Sequence, residues 1–299
     1  MLIRVLGSAA GGGFPQWNCG CANCRGVRDG SLKALPRSQE SVAVSADGER
    51  WLLLNASPEI RQQIESFPPL HPRAARHSPI AAILLTNGDL DHCLGLLSLR
   101  ESQPLVVYAT ERVRRGFTEG NVLYRTLERT PEQVTWRALK LGREEDLGGL
   151  LVEAVPVPGK LPIHLESVFA PDPEDGVGFR IRAGASGRTL AYFSGVAAVT
   201  DDVLDALDGA DCVLFDGTFW SDDELPSQGL GGKRAAEMAH VPIGGAGGSL
   251  AALSGISVGR RIYIHINNTN PILREDSAER VAVVASGWEV AWDGMEITL

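Results

Sequence analysis

Three ionisable side chains lie close together in the segment Asp89-Leu90-Asp91-His92. The segment follows a short apolar run, residues 80–85, which has the length and composition of a buried strand. Carboxylate and imidazole groups this close together at the end of a strand can converge on one cation. An isolated Asp-x-Asp-His sequence is more typical of a solvated turn in which an aspartate caps a helix, so the rest of the chain must decide between the two.

Two further polar side chains also follow apolar strands. Asp216 comes directly after the apolar run 211–215, and His265 comes directly after the run 261–264. The carboxyl ends of neighbouring strands in an α/β sheet open onto a common crevice, so these residues can gather with Asp91 and His92 at one rim. Each alone has an ordinary explanation, a turn for Asp216 and a buried structural histidine for His265. Four such positions together favour a metal site.

A second candidate metal site is local in the sequence. Three of the five cysteines form the pattern Cys19-x-Cys21-x-x-Cys24, a spacing typical of tetrahedral zinc sites. Ligation by sulfur without an open position implies a structural zinc, and the alternative is a group of ordinary buried or reactive cysteines. The fourth ligand is open between Asn268, a histidine elsewhere and water. Cys93 and Cys212 lie beside apolar runs, so we expect both in the core.

Composition bounds the class of protein. The chain has 299 residues, of which 44% are hydrophobic, enough for a large core. Its net charge of −9 argues against a nucleic-acid partner, which usually requires a basic face. No apolar run approaches the ~20 residues that span a bilayer, and residues 1–20 do not resemble a signal peptide. Clustered, odd-numbered cysteines do not resemble a secreted disulfide framework, so we expect a cytoplasmic location.

Turn and capping residues divide the chain into short strands and helices. Two hairpins are predicted, one pairing residues 41–45 with 51–55 and one pairing 178–182 with 189–193. Helices are predicted at 59–66, at 94–99, after caps at Thr110 and Thr200, and at 276–285. No linker divides the sequence, so we predict a single domain over 1–299 with a zinc-binding loop at 19–24.

The order of the polar residues resembles the metallo-β-lactamase superfamily. Its signature is His-x-His-x-Asp-His after a strand, then a Gly-His, a bridging Asp and a late His. The resemblance covers nearly the whole chain and implies an α/β (α+β) fold, a four-layer αββα sandwich. Most members bind two metals. Here Asn87, Asp89 and Lys160 stand where ligands of the first metal would be, whereas the ligands of the second are kept: Asp91, His92, Asp216 and His265.

The resemblance therefore implies one metal held by two imidazoles and one or two carboxylates. Two histidines and a carboxylate with open positions are the ligand set of non-haem iron(II) sites that activate oxygen. The same set binds zinc, generally more tightly, so ligand identity alone does not decide the metal. In this position Lys160 would supply a positive charge where a metal is lost and would favour an anionic substrate.

Five longer segments resemble one family within the superfamily, the coenzyme PQQ biosynthesis protein B family; they are residues 11–18, 55–61, 215–220, 240–243 and 265–271. The resemblance implies a role in bacterial pyrroloquinoline quinone (PQQ) synthesis. The expected reaction is hydroxylation of the tyrosine-derived ring of a Glu–Tyr-derived precursor, with iron and dioxygen. The alternatives are a carrier that takes PQQ or a precursor toward the periplasm, and a metal-dependent hydrolase.

On this reading Fe(II) binds at Asp91, His92 and His265, with Asp216 as a possible further ligand, and Zn(II) binds at the cysteines. His240, in a glycine-rich segment, is a candidate acid or base, the alternatives being a structural histidine or a ligand of the other metal. Asp89 either contacts the metal or caps a helix.

The expected partners follow from the same resemblance. Candidate partners of the precursor's carboxylates are Lys160, Lys233 and Arg234, with solvated surface as the alternative for each. Besides the small-molecule precursor, the expected partners are other proteins of the pathway and a second copy in a homodimer. No nucleic acid and no membrane insertion is expected.

Overall fold

A computed structural model describes residues 1–119, 121–166 and 170–299. In chain order the strands of this part are β1 Leu2–Gly7, β2 Ser41–Ser45, β3 Trp51–Leu54, β4 Ile80–Leu84, β5 Leu105–Ala109, β6 Val134–Ala138, β7 Glu144–Asp146, β8 Leu150–Pro156, β9 Val177–Ala183, β10 Thr189–Phe193, β11 Cys212–Asp216, β12 Arg260–Ile264, β13 Trp288–Val290 and β14 Glu296–Thr298. The helices are α1 Ala22–Asp29, α2 Ile60–Glu65, α3 Leu90–Cys93, α4 Gly95–Ser98, α5 Glu111–Glu119, α6 Asp201–Leu207, α7 Glu224–Ser227, α8 Ser249–Ala252 and α9 Ala278–Ala285.

The strands form two mixed sheets. The first has the order β14-β1-β2-β3-β4-β5-β6, and the second has the order β13-β12-β11-β10-β9-β8-β7. Strands β3 to β6 run parallel in the first sheet, and β10 to β13 run parallel in the second. Because parallel strands end at the same edge, each sheet collects the residues that follow these strands at one rim.

The main core lies between the two sheets. Alternate residues of a strand face opposite sides, so Leu52 and Leu54 pack inward against Phe179 and Tyr192 of the second sheet. Leu53 faces outward and joins a second cluster with residues of α2, α4 and α5. Residues of α6 and α9 cover the outer face of the second sheet in the same way. The result is the expected four-layer αββα sandwich.

Several local predictions are confirmed. Both hairpins are antiparallel pairs, β2 with β3 and β9 with β10. Thr110 and Thr200 accept hydrogen bonds at the first turns of α5 and α6. Cys93 and Cys212 are buried. In the described part of the chain, no helix is both long and apolar enough to span a membrane.

Other predictions need correction. The helix predicted at 94–99 is found as the shorter α4, and a separate short helix that was not predicted, α3, precedes it from Leu90. Edge strands β6 and β7 were not predicted, because β7 consists of three exposed acidic residues and carries no apolar pattern. The helix predicted from residue 59 begins at Ile60, and its N-cap position shows no side-chain hydrogen bond.

Candidate metal centre

Asp91, His92 and His265 meet at the rims of the two sheets. The first two lie in α3, which follows β4, and His265 directly follows β12. Asp91 Oδ2 lies 3.2 Å from His265 Nε2 and 3.7 Å from His92 Nε2. The three ligand atoms lie within 4.8 Å of one another, which is close enough to share one ion. We call these three residues the histidine cluster.

The backbone of His265 adopts an unusual conformation. Its φ is 57°, in the left-handed region that non-glycine residues rarely occupy. Hydrogen bonds on both sides hold it: Gly217 N donates to Ile264 O at 2.7 Å, and Ile266 N donates to Ser8 O at 3.0 Å. Such local strain persists where the surrounding structure fixes it, and it is common at functional sites.

Burial and neighbouring charges act in opposite directions on the pKa values of the histidine cluster. Burial raises the pKa of Asp91, but the His92 and His265 imidazoles outweigh it and hold that pKa below its ordinary value. Burial lowers the pKa of His265, but Asp91 and other carboxylates raise it to about 9. Burial lowers the pKa of His92, against the opposing effect of the Asp91 carboxylate.

The environment of one ring nitrogen in the cluster indicates a cation site. His92 Nε2 is buried and has no hydrogen-bond partner among the residues that the structure describes. A buried polar atom left unpaired costs roughly 1–3 kcal/mol, so most such atoms have a partner. An imidazole nitrogen lone pair beside a carboxylate is a good ligand for a divalent transition metal, and the donor set therefore fits one metal ion.

Asp216 lies at the end of β11 beside this cluster, fully buried. Its Oδ1 accepts hydrogen bonds from the Thr218 backbone N at 3.0 Å and from the Thr218 hydroxyl at 2.6 Å. Its Oδ2 accepts from Val196 N at 2.8 Å and from His240 Nδ1 at 2.7 Å. Four donors already occupy this carboxylate. One ligand atom of Asp216 also lies within 4.8 Å of ring nitrogens of His240 and His265, which is close enough for the three to share an ion. The role of Asp216 as a metal ligand stays a prediction.

Thr218 fixes the orientation of His265. Its hydroxyl lies 2.6 Å from Asp216 Oδ1 and 2.9 Å from the His265 carbonyl, both of which only accept. The one hydroxyl proton is therefore committed, so toward His265 Nδ1, at 2.8 Å, the oxygen accepts. His265 consequently carries a proton on Nδ1 and turns Nε2 toward Asp91.

The histidine cluster opens onto a cavity of about 490 Å³. Asn87, Asp89, Lys160 and His240 line it together, so the structure gathers the three residues that the resemblance aligns with ligands of the first metal. Burial and the Asp91 carboxylate raise the pKa of Asp89. Asp89 precedes α3 without a side-chain capping bond, so of its two alternative roles the helix cap is not seen. His164, which sequence reasoning did not single out, also lines the cavity.

Lys233 and Arg234 do not join this group. Both are exposed, and Arg234 pairs with Asp222 at 3.0 Å on the surface. Neither lies among the residues that line the cavity within the described part of the chain. Of the three predicted partners for substrate carboxylates, the geometry therefore retains only Lys160.

The cysteine cluster, Cys19, Cys21 and Cys24, lies at the start of α1. Its three sulfur atoms lie within 4.8 Å of one another, and Asn268 Nδ2 lies 3.2 to 3.7 Å from each of them. Rotating this amide by half a turn exchanges Nδ2 for Oδ1, a metal-binding atom. Three thiols facing one amide form a donor set that fits tetrahedral zinc, and Asn268 is the nearest candidate for the open fourth position.

Comparison with known proteins agrees with this geometry. A beta-lactamase superfamily domain model matches residues 50–266. Coenzyme PQQ synthesis protein B of Methylobacterium nodulans is 50% identical over the full length of both chains, and that of Azotobacter vinelandii is 48% identical over the same extent. The chain belongs to the coenzyme PQQ synthesis protein B family. A zinc-bound crystal structure of PqqB from Methylobacterium extorquens is 47% identical, covers both chains completely and has a TM-score of 0.95.

A diphosphatase of the PhnP family shares the fold at 20% identity, with a TM-score of 0.71 over 99% of this chain and 96% of its own. That likeness shows the fold alone. The features of this chain that matter below are the histidine cluster and the Asn87, Asp89 and Lys160 side chains that line its cavity.

Sequence reasoning missed the residues that support the histidine cluster. Thr218, Thr86, Asn55, Glu40 and Tyr192 are all buried polar residues behind the ligands. Burial raises the pKa of Glu40 to about 7. Thr86 and Asn55 each follow an apolar strand, which is the same signal that identified Asp216 and His265. Glu40 and Tyr192 carry no such signal, because only the packing of the two sheets brings them near.

Proposed function

We propose that this protein takes part in PQQ synthesis as an Fe(II)- and O₂-dependent hydroxylase of the tyrosine-derived ring of a Glu–Tyr-derived precursor. The names of relatives 45–50% identical over the full chain support the pathway. The observation that carries the reaction type is the histidine cluster: two imidazoles and one carboxylate at a cavity, with the first-metal positions replaced. Fe(II) bound by such a set with open positions supplies the activation of dioxygen.

The cavity suits an aromatic ring that carries carboxylates. Leu90, Phe219 and Met238 line it with apolar surface on which a ring can pack. Lys160 and His164 line it as well, and the Lys160 ammonium can pair with a carboxylate of the precursor. A cavity of this size lies within the range that small-molecule sites occupy.

His240 is the proposed acid or base. It donates its Nδ1–H to the ionised Asp216, whose pKa is lowered by His240 and by hydrogen bonds despite its burial. Nε2 is then the ring nitrogen that can accept a proton from the phenol of a bound precursor. The Asp216 carboxylate stabilises the imidazolium that results, as it does in other Asp–His pairs.

The overall change balances with an external reductant. One oxygen atom of O₂ replaces a ring hydrogen as hydroxyl, and the other leaves as water, which consumes two electrons and two protons.

At the cysteine cluster we propose a structural Zn(II) that holds the loop between β1 and β2 against the segment 266–270.

The test is a single-turnover reaction of iron-loaded protein with the Glu–Tyr-derived precursor under ¹⁸O₂, with an added two-electron reductant. We expect a product heavier by one labelled oxygen atom, detected by mass spectrometry. His240→Asn keeps a donor toward Asp216 but removes Nε2, so we expect the single-turnover rate constant to fall by about 100-fold or more with unchanged iron content.

Two outcomes would contradict the proposal. Absence of labelled product from protein that carries one iron at the histidine cluster would remove the hydroxylase. Two metals per chain outside the cysteine cluster, with hydrolysis of a substrate, would favour the superfamily's hydrolytic chemistry. A carrier would differ from both, because His265 variants would then bind the precursor and leave PQQ production intact.

A further inference from the structure

His92 lies at the end of a buried chain of hydrogen bonds. Its Nδ1 lies 2.9 Å from Thr86 Oγ1, and Thr86 Oγ1 lies 3.0 Å from Asn55 Oδ1. Asn55 directly follows β3 and has a φ of 62°, a left-handed conformation that asparagine tolerates better than most residues. All three side chains are buried.

The direction of every hydrogen bond in this chain is determined by one backbone group. Thr86 N can only donate, and it lies 3.0 Å from Asn55 Oδ1, so that atom is the amide oxygen. An amide oxygen only accepts, so the Thr86 hydroxyl donates to it. With its proton committed, the Thr86 oxygen accepts from His92 Nδ1–H. In the neutral imidazole, the form that binds a metal, the one ring proton then lies on Nδ1 and Nε2 carries none.

Two residues on the far side anchor Asn55. Its Nδ2 donates to Glu40 Oε2 at 3.0 Å and to the Tyr192 hydroxyl at 2.9 Å. Tyr192, in β10 of the second sheet, in turn donates to Glu40 Oε1. Because acceptors surround Nδ2, turning the amide over would set its oxygen against a carboxylate. The chain therefore links the packing of both sheets to the ring of His92.

We propose that Asn55 and Thr86 are positioning residues that hold His92 as its Nδ1–H tautomer, so that Nε2 is presented as a lone pair to a divalent cation. The inference rests on the proposed metal site but not on hydroxylation. The other tautomer would carry a proton on Nε2, where the metal must bind. Without the threonine hydroxyl, no hydrogen bond among the described residues favours Nδ1–H, whereas Asp91 Oδ2 and Glu40 Oε2, 3.7 and 4.0 Å from Nε2, favour a proton on Nε2. Part of the protein would then have to shift tautomer before it could bind the ion.

The first test measures the tautomer directly, in metal-free protein labelled with ¹⁵N at histidine. Two-bond ¹H–¹⁵N correlations distinguish a protonated Nδ1 from a protonated Nε2, and His92→Gln identifies the His92 signals. We expect the Nδ1–H pattern in the unsubstituted protein and in Thr86→Ser, and a substantial Nε2–H population in Thr86→Val. An unchanged Nδ1–H pattern in Thr86→Val would overturn the proposal.

The second test measures Co(II) affinity by chelator competition. Co(II) at the cysteine cluster shows a thiolate charge-transfer band that nitrogen and oxygen ligands lack, so the two clusters are read separately. We expect Thr86→Val to weaken binding at the histidine cluster by about 10- to 100-fold, with Thr86→Ser within a few-fold of the unsubstituted protein. Thr189→Val removes a buried threonine hydroxyl in β10 away from the chain of hydrogen bonds and should leave the affinity unchanged.

If Thr86→Val fails to fold, a second variant tests the same proposal. Asn55→Gly accepts the left-handed backbone and frees the Thr86 hydroxyl to donate to His92 Nδ1, which would force the Nε2–H tautomer. We expect the same loss of Co(II) affinity, and wild-type affinity in a folded variant would overturn the proposal. Neither readout involves turnover, so failure of the hydroxylase proposal would leave these results standing.

Discussion

The cysteine cluster is formed by residues close together in the sequence, whereas the histidine cluster is formed by residues far apart. Cys19, Cys21 and Cys24 come from six consecutive residues, and the turn of α1 alone brings two of them together. Asp91 and His265 are 174 residues apart and meet because each follows a parallel strand of a different sheet. The local turn brings cysteine thiols together, and Asn268 reaches them only in the folded chain, whereas the histidine cluster as a whole exists only once both sheets have packed.

The two clusters also differ in access. Asn268 covers the three cysteine sulfurs, as expected for a closed structural site, whereas the histidine cluster opens onto the cavity. Only two residues separate His265 from Asn268, so one short segment contributes to both. Asn23 Nδ2 holds this segment by donating to Asn268 O at 3.2 Å and to Asn270 O at 3.0 Å. A closed site suits a structural metal, and an open site suits catalysis.

The largest effect is expected at the open cluster. His265→Asn removes a ligand, while asparagine tolerates the left-handed backbone that alanine would strain. We expect metal affinity there to fall by more than about 100-fold and hydroxylation to be lost, with the cysteine metal retained. Elemental analysis and oxygen-uptake assays measure both effects. His77→Ala, at an exposed loop residue, is the control; full metal loading of His265→Asn would refute the ligand assignment.

Loss of the closed cluster should affect stability first. Cys24→Ser should remove one zinc per chain and lower the Tm by about 5 °C or more, because metal binding there contributes folding free energy. Cys212→Ala is the control, since it alters a buried cysteine of β11 and should leave the zinc content unchanged. Calorimetry with zinc analysis measures the difference. An unchanged Tm after proven zinc loss would show that this cluster has no structural role.

The free energy of unfolding should depend on pH through Glu224, which accepts hydrogen bonds from Thr269 Oγ1 at 2.5 Å and from Trp220 N at 2.6 Å. Burial raises the pKa of Glu224 to about 7. The folded state then binds more protons than the unfolded state between pH 4.5 and 7, so this group's contribution to stability falls as pH rises through that window.

Glu224→Gln should abolish that contribution. The unfolding free energy of the variant minus that of the unsubstituted protein should increase by on the order of 2–3 kcal/mol from pH 4.5 to pH 7. Above pH 7 this difference should stay constant. Urea unfolding at several pH values measures this. A difference that stays constant over the window would contradict the raised pKa.

The smallest effect is expected from Gly11→Ala, in the loop that leads from β1 to the cysteine cluster. An added Cβ would lie 3.3 Å from Asp91 Oδ2, so the carboxylate must give way by a few tenths of an ångström. We expect a few-fold loss of metal affinity at the histidine cluster, measured by chelator competition. Gly232→Ala meets no described atom within 4 Å and serves as the control; an equal loss in both variants would rule out contact with Asp91 as the cause.

Prediction from sequence succeeded where the pattern is local. Alternating hydrophobicity and turn residues located both hairpins and most strands, because period and turn chemistry are set within a few residues. It failed at β7, whose acidic residues pair as an edge strand only because β8 offers unpaired backbone groups. It also failed to separate Lys160 from Lys233 and Arg234, since nothing in a residue's neighbours tells which side of a loop faces the cavity.

The sequence by itself determined the ligand types, the cysteine spacing, the family resemblance and the strand-end positions of Asp91, His92 and His265. These depend on residue identity and short-range spacing, which the chain carries without folding. Only the tertiary structure decided that Asp216 is occupied by four donors and that Asn55 and Thr86 stand behind His92. Hydrogen-bond direction depends on which buried groups from distant strands come within about 3 Å, and that is settled by the packing of two sheets.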